Sequence, residues 1–280
     1  MRLKESKINW FSTGKVIIYA LLILVAVVNL FPFYWAVLSA FKFNGDITKN
    51  PPIFFTLHLT LDNFRRVFLD RYDIYYRNSI VQVSLALPLL LFFSSLGGYI
   101  FSKFKFRGKD LLFKSILATM MLPFAVLLIP MVIITGKMGL INNLLGLVIP
   151  FFISPFGIFM VRQYMETIPN EMLDAARVDG ASYWKIYTTI MLPLSKPILN
   201  TLAIFFFLGN WNSYLWPLVT MFNEENWTLP IGAAQFGQKF GAQYGPTLAV
   251  SIIMMLPLVV MFLIFQKGIV EGFALTGLKA

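Results

Sequence analysis

The sequence predicts an all-α membrane protein, a bundle of six transmembrane helices, on three observations. First, 58% of the 280 residues are hydrophobic, only 13% are charged, and the mean hydropathy is +0.73. Soluble domains run closer to about half apolar and a quarter charged. Second, six apolar stretches approach the roughly 20 residues that a helix needs to cross a bilayer. Third, a polar segment, residues 162–196, falls between the fourth and fifth stretches and is long for a connector in a compact bundle.

The first span is expected over Val16–Phe41. Its apolar length exceeds the roughly 7 to 15 residues of a signal-peptide core, so it should stay as an anchor. The second is expected over Ser79–Ser102, and the third to sixth over Ser115–Thr135, Leu144–Val161, Pro197–Phe222 and Pro246–Phe265. Pro88, Pro123, Pro130, Pro155 and Pro257 interrupt these runs, and Gly97 and Gly98 stand near the inner end of the second. Such residues kink helices or let two backbones approach closely.

Net charge is +10, but the Lys and Arg lie between apolar runs and not on one face, which argues against nucleic acid as a partner. Fifteen of the 23 fall in the even-side segments, such as Lys103, Lys105, Arg107, Lys109 and Lys114, and eight in the odd-side ones. Short Lys/Arg-rich segments stay in the cytoplasm, so both termini are predicted to be cytoplasmic. The absence of cysteine excludes a disulfide framework and thiolate metal sites. The lone His58 cannot build a metal site by itself.

The six spans contain no Asp, Glu, Lys, Arg or His. Proton- and ion-coupled pumps keep ionisable groups at membrane depth, so this pattern disfavours them, although a sodium-coupled carrier using backbone carbonyls stays open. Neutral polar groups do occur: Gln82, Asn210, Asn212, Tyr214 and Trp216, the last four inside the string GNWNSYLWPL. Amides that bond hydroxyls beside aromatic faces suit a polar, uncharged substrate path. Equally, Asn212 suits a bond across to another helix, and Tyr214 and Trp216 suit an aromatic belt at the outer interface.

Residues 162–196 read as two short helices. Pro169 suits the first helical position, Glu171 and Asp174 complement the positive dipole end, and Asp179-Gly180 supplies a stop where glycine takes positive φ. Ala175 and Ala176, with Leu173 and Val178 beside them, form a small surface that a partner backbone can approach. The second helix is expected from Ser182 to Ile190, ending before Pro193, with Ser195 and Pro197 capping and opening the fifth span.

Here the chain resembles a known family. Asp174-Ala175-Ala176, Gly180, Ile190 and Leu192-Pro193 stand at the spacing of the cytoplasmic loop of binding-protein-dependent ABC importer permeases, with Asp174 in place of the family Glu. FPFYWAVLSAFK, NSIVQVSL, YIFSKFKFRGK, GNWNSYLWPL and the C-terminal FQKGIVEGFALTGLKA resemble the second permease of maltose-type carbohydrate importers. The resemblance implies the type I ABC importer permease fold, with Glu171, Asp174, Ala175, Ala176, Asp179 and Gly180 on a coupling helix seated in an ATPase cleft. It implies a second permease subunit, two ABC ATPase subunits and an extracytoplasmic substrate-binding protein as partners, within the lipid of a bacterial-type cytoplasmic membrane. The solute is expected to be a sugar or oligosaccharide, with another polar solute such as a glycerophosphodiester as the alternative.

This chain lacks the Gly-x4-Gly-Lys-Ser/Thr phosphate loop, since Lys15, Lys109 and Lys137 follow Gly without the upstream Gly or the hydroxyl. It is therefore expected to be non-catalytic and to hold no cofactor, with ATP and Mg on the partner ATPases. The outer segment NEENWTLPIGAAQFGQKFGAQYGP is either a flexible Gly-rich connector or, by the resemblance, a contact with the binding protein through Gln235, Phe236, Gly237 and Gln238. The expected organisation is 1–75 for the tail, first span and outer loop, 76–267 for the permease core, and 268–280 for a cytoplasmic tail.

Overall fold

A computed structural model of the chain describes residues 13–240 and 243–277, with side chains over 14–236 and 243–265. Arg2, Lys4, Lys7 and Lys279, used above to orient the chain, lie outside the described residues, as do the side chains of Lys239 and Lys267. The described residues are helices joined by turns. In order they are α1 (Thr13–Ala40), α2 (Asn44–Ile47), α3 (Asp62–Leu69), α4 (Tyr72–Lys103), α5 (Lys109–Thr119), α6 (Phe124–Lys137), α7 (Leu145–Val148) and α8 (Pro155–Glu166). Then follow α9 (Asn170–Val178), α10 (Tyr183–Ile186), α11 (Leu192–Leu194), α12 (Lys196–Trp211), α13 (Leu215–Thr220), α14 (Leu229–Phe240) and α15 (Tyr244–Gly277).

Three of these are long and apolar enough to cross a membrane unaided: Gly14–Ala40 within α1, α4, and Tyr244–Phe265 within α15. The other three expected spans are bent pairs: α5 with α6 at 100°, Leu145–Phe151 with α8 at 47°, and Tyr183–Leu194 with α12 at 75°. Six spans result if each pair crosses once. The third expected span is thus not the continuous helix Ser115–Thr135. Pro123 has no N–H and crowds the residue before it out of the α region, so α5 stops at Thr119 and α6 restarts at Phe124. In the fourth, Ser154 caps the restart by accepting the Gly157 N–H at 3.1 Å, with Pro155 in the first turn.

The fifth expected span, Pro197–Phe222, also divides. α12 ends at Trp211, where Asn210 and Asn212 turn their amides back onto the carbonyls of Phe206 and Leu208. At its N-terminal side the helical path starts at Tyr183, so the short helix expected to stop before Pro193 continues to Leu194. The turn Tyr187–Met191 widens to a π-helix in which the Leu192 N–H bonds the Tyr187 carbonyl five residues back. Thr188 and Thr189 hydroxyls take the carbonyls of Trp184 and Lys185 at 3.0 and 2.6 Å.

The chain divides into two compact units. In the first, Met1–Val67 with Phe240–Ile253, the Asn63 amide bonds the carbonyls of Ala40 and Lys42 at 2.8 and 2.7 Å, closing the end of α1. Lys42 is fully buried; its ammonium donates to the Ile53 carbonyl and stands 4.2 Å over the Trp35 ring. Burial pushes its pKa down, with Asp46 opposing.

In the second unit, Phe68–Lys239 with Met254–Ala280, α4 packs along α8 and α12. Gly98 makes this approach possible: a Cβ there would stand 2.5 Å from Val161 Cγ1 and 2.9 Å from the Arg162 backbone nitrogen. Arg162, expected in the inner loop, extends α8, because its guanidinium pairs with Glu166 at 2.9 Å and lies 3.8 Å over the Phe113 ring. The core of this unit runs from Ala86 and Leu90 through Val161 and Met165 to Leu173, Ile186, Tyr187 and Leu202.

Candidate functional site

At one end of the second unit, α9 presents a short amphipathic helix. Its Asp179 end closes on Gly180 at φ 78°, as the sequence requires, while Pro169 precedes the helix as its N-cap and Asn170 is its first residue. Leu173 turns inward and is 2% exposed, and Ala176 packs against the same core. The outward face carries Glu171, Met172, Asp174, Ala175, Val178 and Asp179, with Val178 88% exposed. Of the paired alanines only Ala175 is therefore fully available to a partner. Asp174 pairs with Arg177 at 3.1 Å, and the Arg177 guanidinium stands 5.0 Å from the Tyr183 ring centre. Such exposed pairs are worth under about 1 kcal/mol, so the carboxylate can change partner at small cost.

Two contacts that the sequence did not flag tie residues 162–196 to α4. Lys103, at the C-terminal end of α4, donates to the Ile168 carbonyl at 2.5 Å and to Asn170 Oδ1 at 3.1 Å. Further along α4, the Ser95 and Tyr187 hydroxyls bond at 2.6 Å, and the Tyr99 ring stacks on Tyr187 at 5.4 Å. These link α4 to both helical arms of residues 162–196. Lys103 had the look of a charge marking the inner side, and nothing local in the sequence shows which carbonyl a lysine will reach.

A cavity of about 510 Å³ opens in the same unit, within the range of small-molecule sites. Gln82, Asn210, Tyr214 and Trp216 line it, together with Ser154, Ser213, Phe124 and Phe151. Among the described residues no Asp, Glu, Lys, Arg or His lines it. Asn212 does not line it: its amide bonds its own helix and no neighbouring one. Trp216 is 3% exposed, with its indole N–H donating to the Gly146 carbonyl at 3.0 Å and Phe151 edge-on to its ring at 5.2 Å. Burial at this depth removes it from an aromatic belt, whereas Tyr214 is 40% exposed.

Over its described residues the segment following α13 is largely helical. Glu224–Asn226 forms a 3-10 turn and α14 follows. Phe236, expected to meet a partner, is 1% exposed and meets the Tyr72 ring edge-on at 5.3 Å. Gln235 is half-buried, and for Gly237 and Gln238 only the helical backbone is described. The N-terminal third of α4 holds this segment. Tyr72 donates to the Gly232 carbonyl, Tyr75 to Glu224 Oε1, and Asn78 to the carbonyls of Glu225 and Trp227, while Ser79 Oγ accepts the Leu229 N–H. Replacing Asn78 with Leu removes two of these bonds from a side chain 1% exposed. The expected result is a melting-temperature drop of several degrees for the detergent-solubilised protein, about 2 kcal/mol of lost bonding and unsatisfied carbonyls.

Comparisons with known proteins agree with this architecture. The arabinooligosaccharides transport system permease protein of Halalkalibacterium halodurans is 34% identical, over 91% of this chain and 93% of that protein. The trehalose/maltose transport system permease protein of Thermococcus litoralis is 32% identical over 92% and 94%, and the lactose transport system permease protein of Rhizobium radiobacter 31% over 91% and 93%. Among solved structures, a chain of a bacterial ABC transporter involved in the import of the acidic polysaccharide alginate superposes with a TM-score of 0.81. It covers 92% of this chain and 99% of that one at 23% identity, and so shares the fold. Residues 91–269 match the family described as binding-protein-dependent transport system inner membrane component, and these residues contain α8, α9, α12 and nearly the whole cavity lining. The chain belongs to that family of membrane transport subunits.

Proposed function

We propose that this chain is the translocating subunit of an ABC importer for a sugar or short oligosaccharide. The observation that carries the substrate class is the cavity: amide and hydroxyl groups face aromatic rings, with no charge on the lining. Sugars present hydroxyl edges and apolar ring faces, and this pairing serves both. The similar permeases of arabinooligosaccharides, lactose and trehalose/maltose systems support the same class. A glycerophosphodiester would place a phosphate among groups that offer it no cation, so that alternative is disfavoured. An uncharged lining also gives no titrating group for proton coupling.

Energy enters, on this reading, through α9. Glu171, Asp174, Ala175, Asp179 and Gly180 meet an ATPase subunit, while Ala176 and Leu173 anchor the helix from behind. ATP and Mg bind the two ATPase subunits and not this chain. A second permease completes the pathway, a binding protein delivers the solute outside, and α14 lies on that outer side. Closure of the ATPases moves α9, and Lys103 and the Ser95–Tyr187 bond pass the motion to α4, which lines the cavity. The test is to copurify the complex with its binding protein, identify the bound solute by mass spectrometry, and measure its uptake with ATP hydrolysis in proteoliposomes. A bound neutral saccharide taken up at the expense of ATP is expected; a charged or non-carbohydrate solute overturns the substrate class.

Topology has a direct readout because the chain has no cysteine. With both termini in the cytoplasm, a cysteine replacing Lys105 is expected to react with a membrane-impermeant maleimide only from the cytoplasmic face of vesicles. One replacing Glu225 should react only from outside, and the reverse pattern would invert the topology.

A further inference from the structure

We infer that Gln82 is the hydrogen-bonding anchor of the cavity, holding an adjacent pair of hydroxyls on the sugar, an inference that rests on the carbohydrate reading above. On α4 from Tyr72 to Ser79, four polar side chains are committed to the outer segment: Tyr72, Tyr75, Asn78 and Ser79 each bond residues 224–232. Gln82 stands one turn further along the same face and breaks the pattern. It is 3% exposed, lines the cavity, and among the described residues its amide makes no hydrogen bond.

An amide that opens on a cavity exchanges hydrogen bonds with whatever fills it, water in the resting state and a ligand when one is bound, so it contributes little to folding and is left to recognition. What completes Gln82 is set by its neighbours. Asn210 commits one of its two Nδ2 hydrogens to the Phe206 carbonyl, which fixes the orientation of its amide, while Trp216 commits its indole N–H and offers only its ring face. Gln82 is then the lining amide with both ends uncommitted among the described residues and able to turn to a solute. A vicinal diol presents one hydroxyl as acceptor and the next as donor, matching the two ends of a carboxamide. Its apolar ring face turns to Trp216.

The test uses the assembled importer in proteoliposomes with saturating binding protein. Radiolabelled lactose, maltose, trehalose, diacetylchitobiose and arabinobiose are the probes. Gln82→Met keeps side-chain length and removes both hydrogen-bonding ends, and Gln82→Leu is the second variant. The expected result is that sugar transported per ATP hydrolysed falls about tenfold in both, the loss of one to two bonds made only to solute. Binding-protein-stimulated ATP hydrolysis and the melting temperature stay at the wild-type values. Unchanged transport per ATP in both variants overturns the inference. So does a parallel fall of uptake, ATP hydrolysis and melting temperature, which marks a structural amide. A wild-type complex that takes up none of the five sugars, while its binding protein carries a non-carbohydrate, overturns the carbohydrate reading and this inference with it.

Discussion

Gly180→Trp is expected to abolish uptake in an assembled complex. Gly180 adopts φ 78°, a region that costs an L residue roughly 1–2 kcal/mol, and a Cβ added there meets nothing within 4 Å in this chain. The two consequences of substitution can therefore be separated. Gly180→Ala carries the backbone strain with almost no bulk, so the α9 stop loosens, the melting temperature falls by a few degrees and uptake persists. Gly180→Trp adds a large ring on the exposed side of the Asp179-Gly180 turn, the surface assigned to the ATPase. Uptake and binding-protein-stimulated ATP hydrolysis are expected to fall to background, with the ATPase lost from the complex on size-exclusion chromatography or bound without stimulation. Uptake at the wild-type rate by the Trp variant would falsify coupling through this turn.

Gly98→Leu is expected to prevent stable assembly. The approach of α4 to α8 is closed by backbone: the added Cβ would lie 2.9 Å from the Arg162 nitrogen as well as 2.5 Å from Val161 Cγ1. Backbone cannot rotate aside as a flexible side chain does, so the helices must separate along their main contact. Overpacking costs about 1–3 kcal/mol for small additions and more when backbone must move. A Leu also introduces three further carbons, so the yield of folded complex should collapse, and Gly98→Ala should already lower the melting temperature. Gly209→Ala is the control. Gly209 is a helical glycine, and a methyl group added to it meets nothing within 4 Å, so its replacement is expected to leave melting unchanged or raise it slightly. Equal melting of Gly98→Ala and Gly209→Ala would contradict the close packing of α4 on α8.

Together the two variants separate the working surface from the framework behind it. Gly180 serves the exposed side of α9 and Gly98 the buried side of α8, and the C-terminal half of α4 bridges them through Lys103 and the Ser95–Tyr187 bond. A loss of transport without a loss of melting belongs to the first. A joint loss belongs to the second.

Composition and short-range spacing were enough to establish the class of the protein and the local chemistry of its inner loop. Apolar composition requires helices in lipid, because every backbone group there must be satisfied within its own segment. The helix stop at Gly180 and the spacing from Asp174 to Pro193 depend on residues a few positions apart, and both were legible, whereas the cap expected of Ser195 is not made, its hydroxyl being buried without a hydrogen bond among the described residues. Local pattern did not show that Pro123 breaks one span at 100° while Pro257 leaves α15 continuous, since surrounding helices decide whether a proline's freed carbonyl finds a partner. Nor did it show that Leu173 and Ala176 turn inward, that Phe236 is buried against Tyr72, or that Asn212 turns away from the cavity. The meeting of Gln82 on α4 with Asn210 on α12 and Trp216 on α13 likewise emerged only from packing. These are contacts between segments far apart in the chain, and a neutral amide carries no mark of its partner until folding brings one near or leaves it without one.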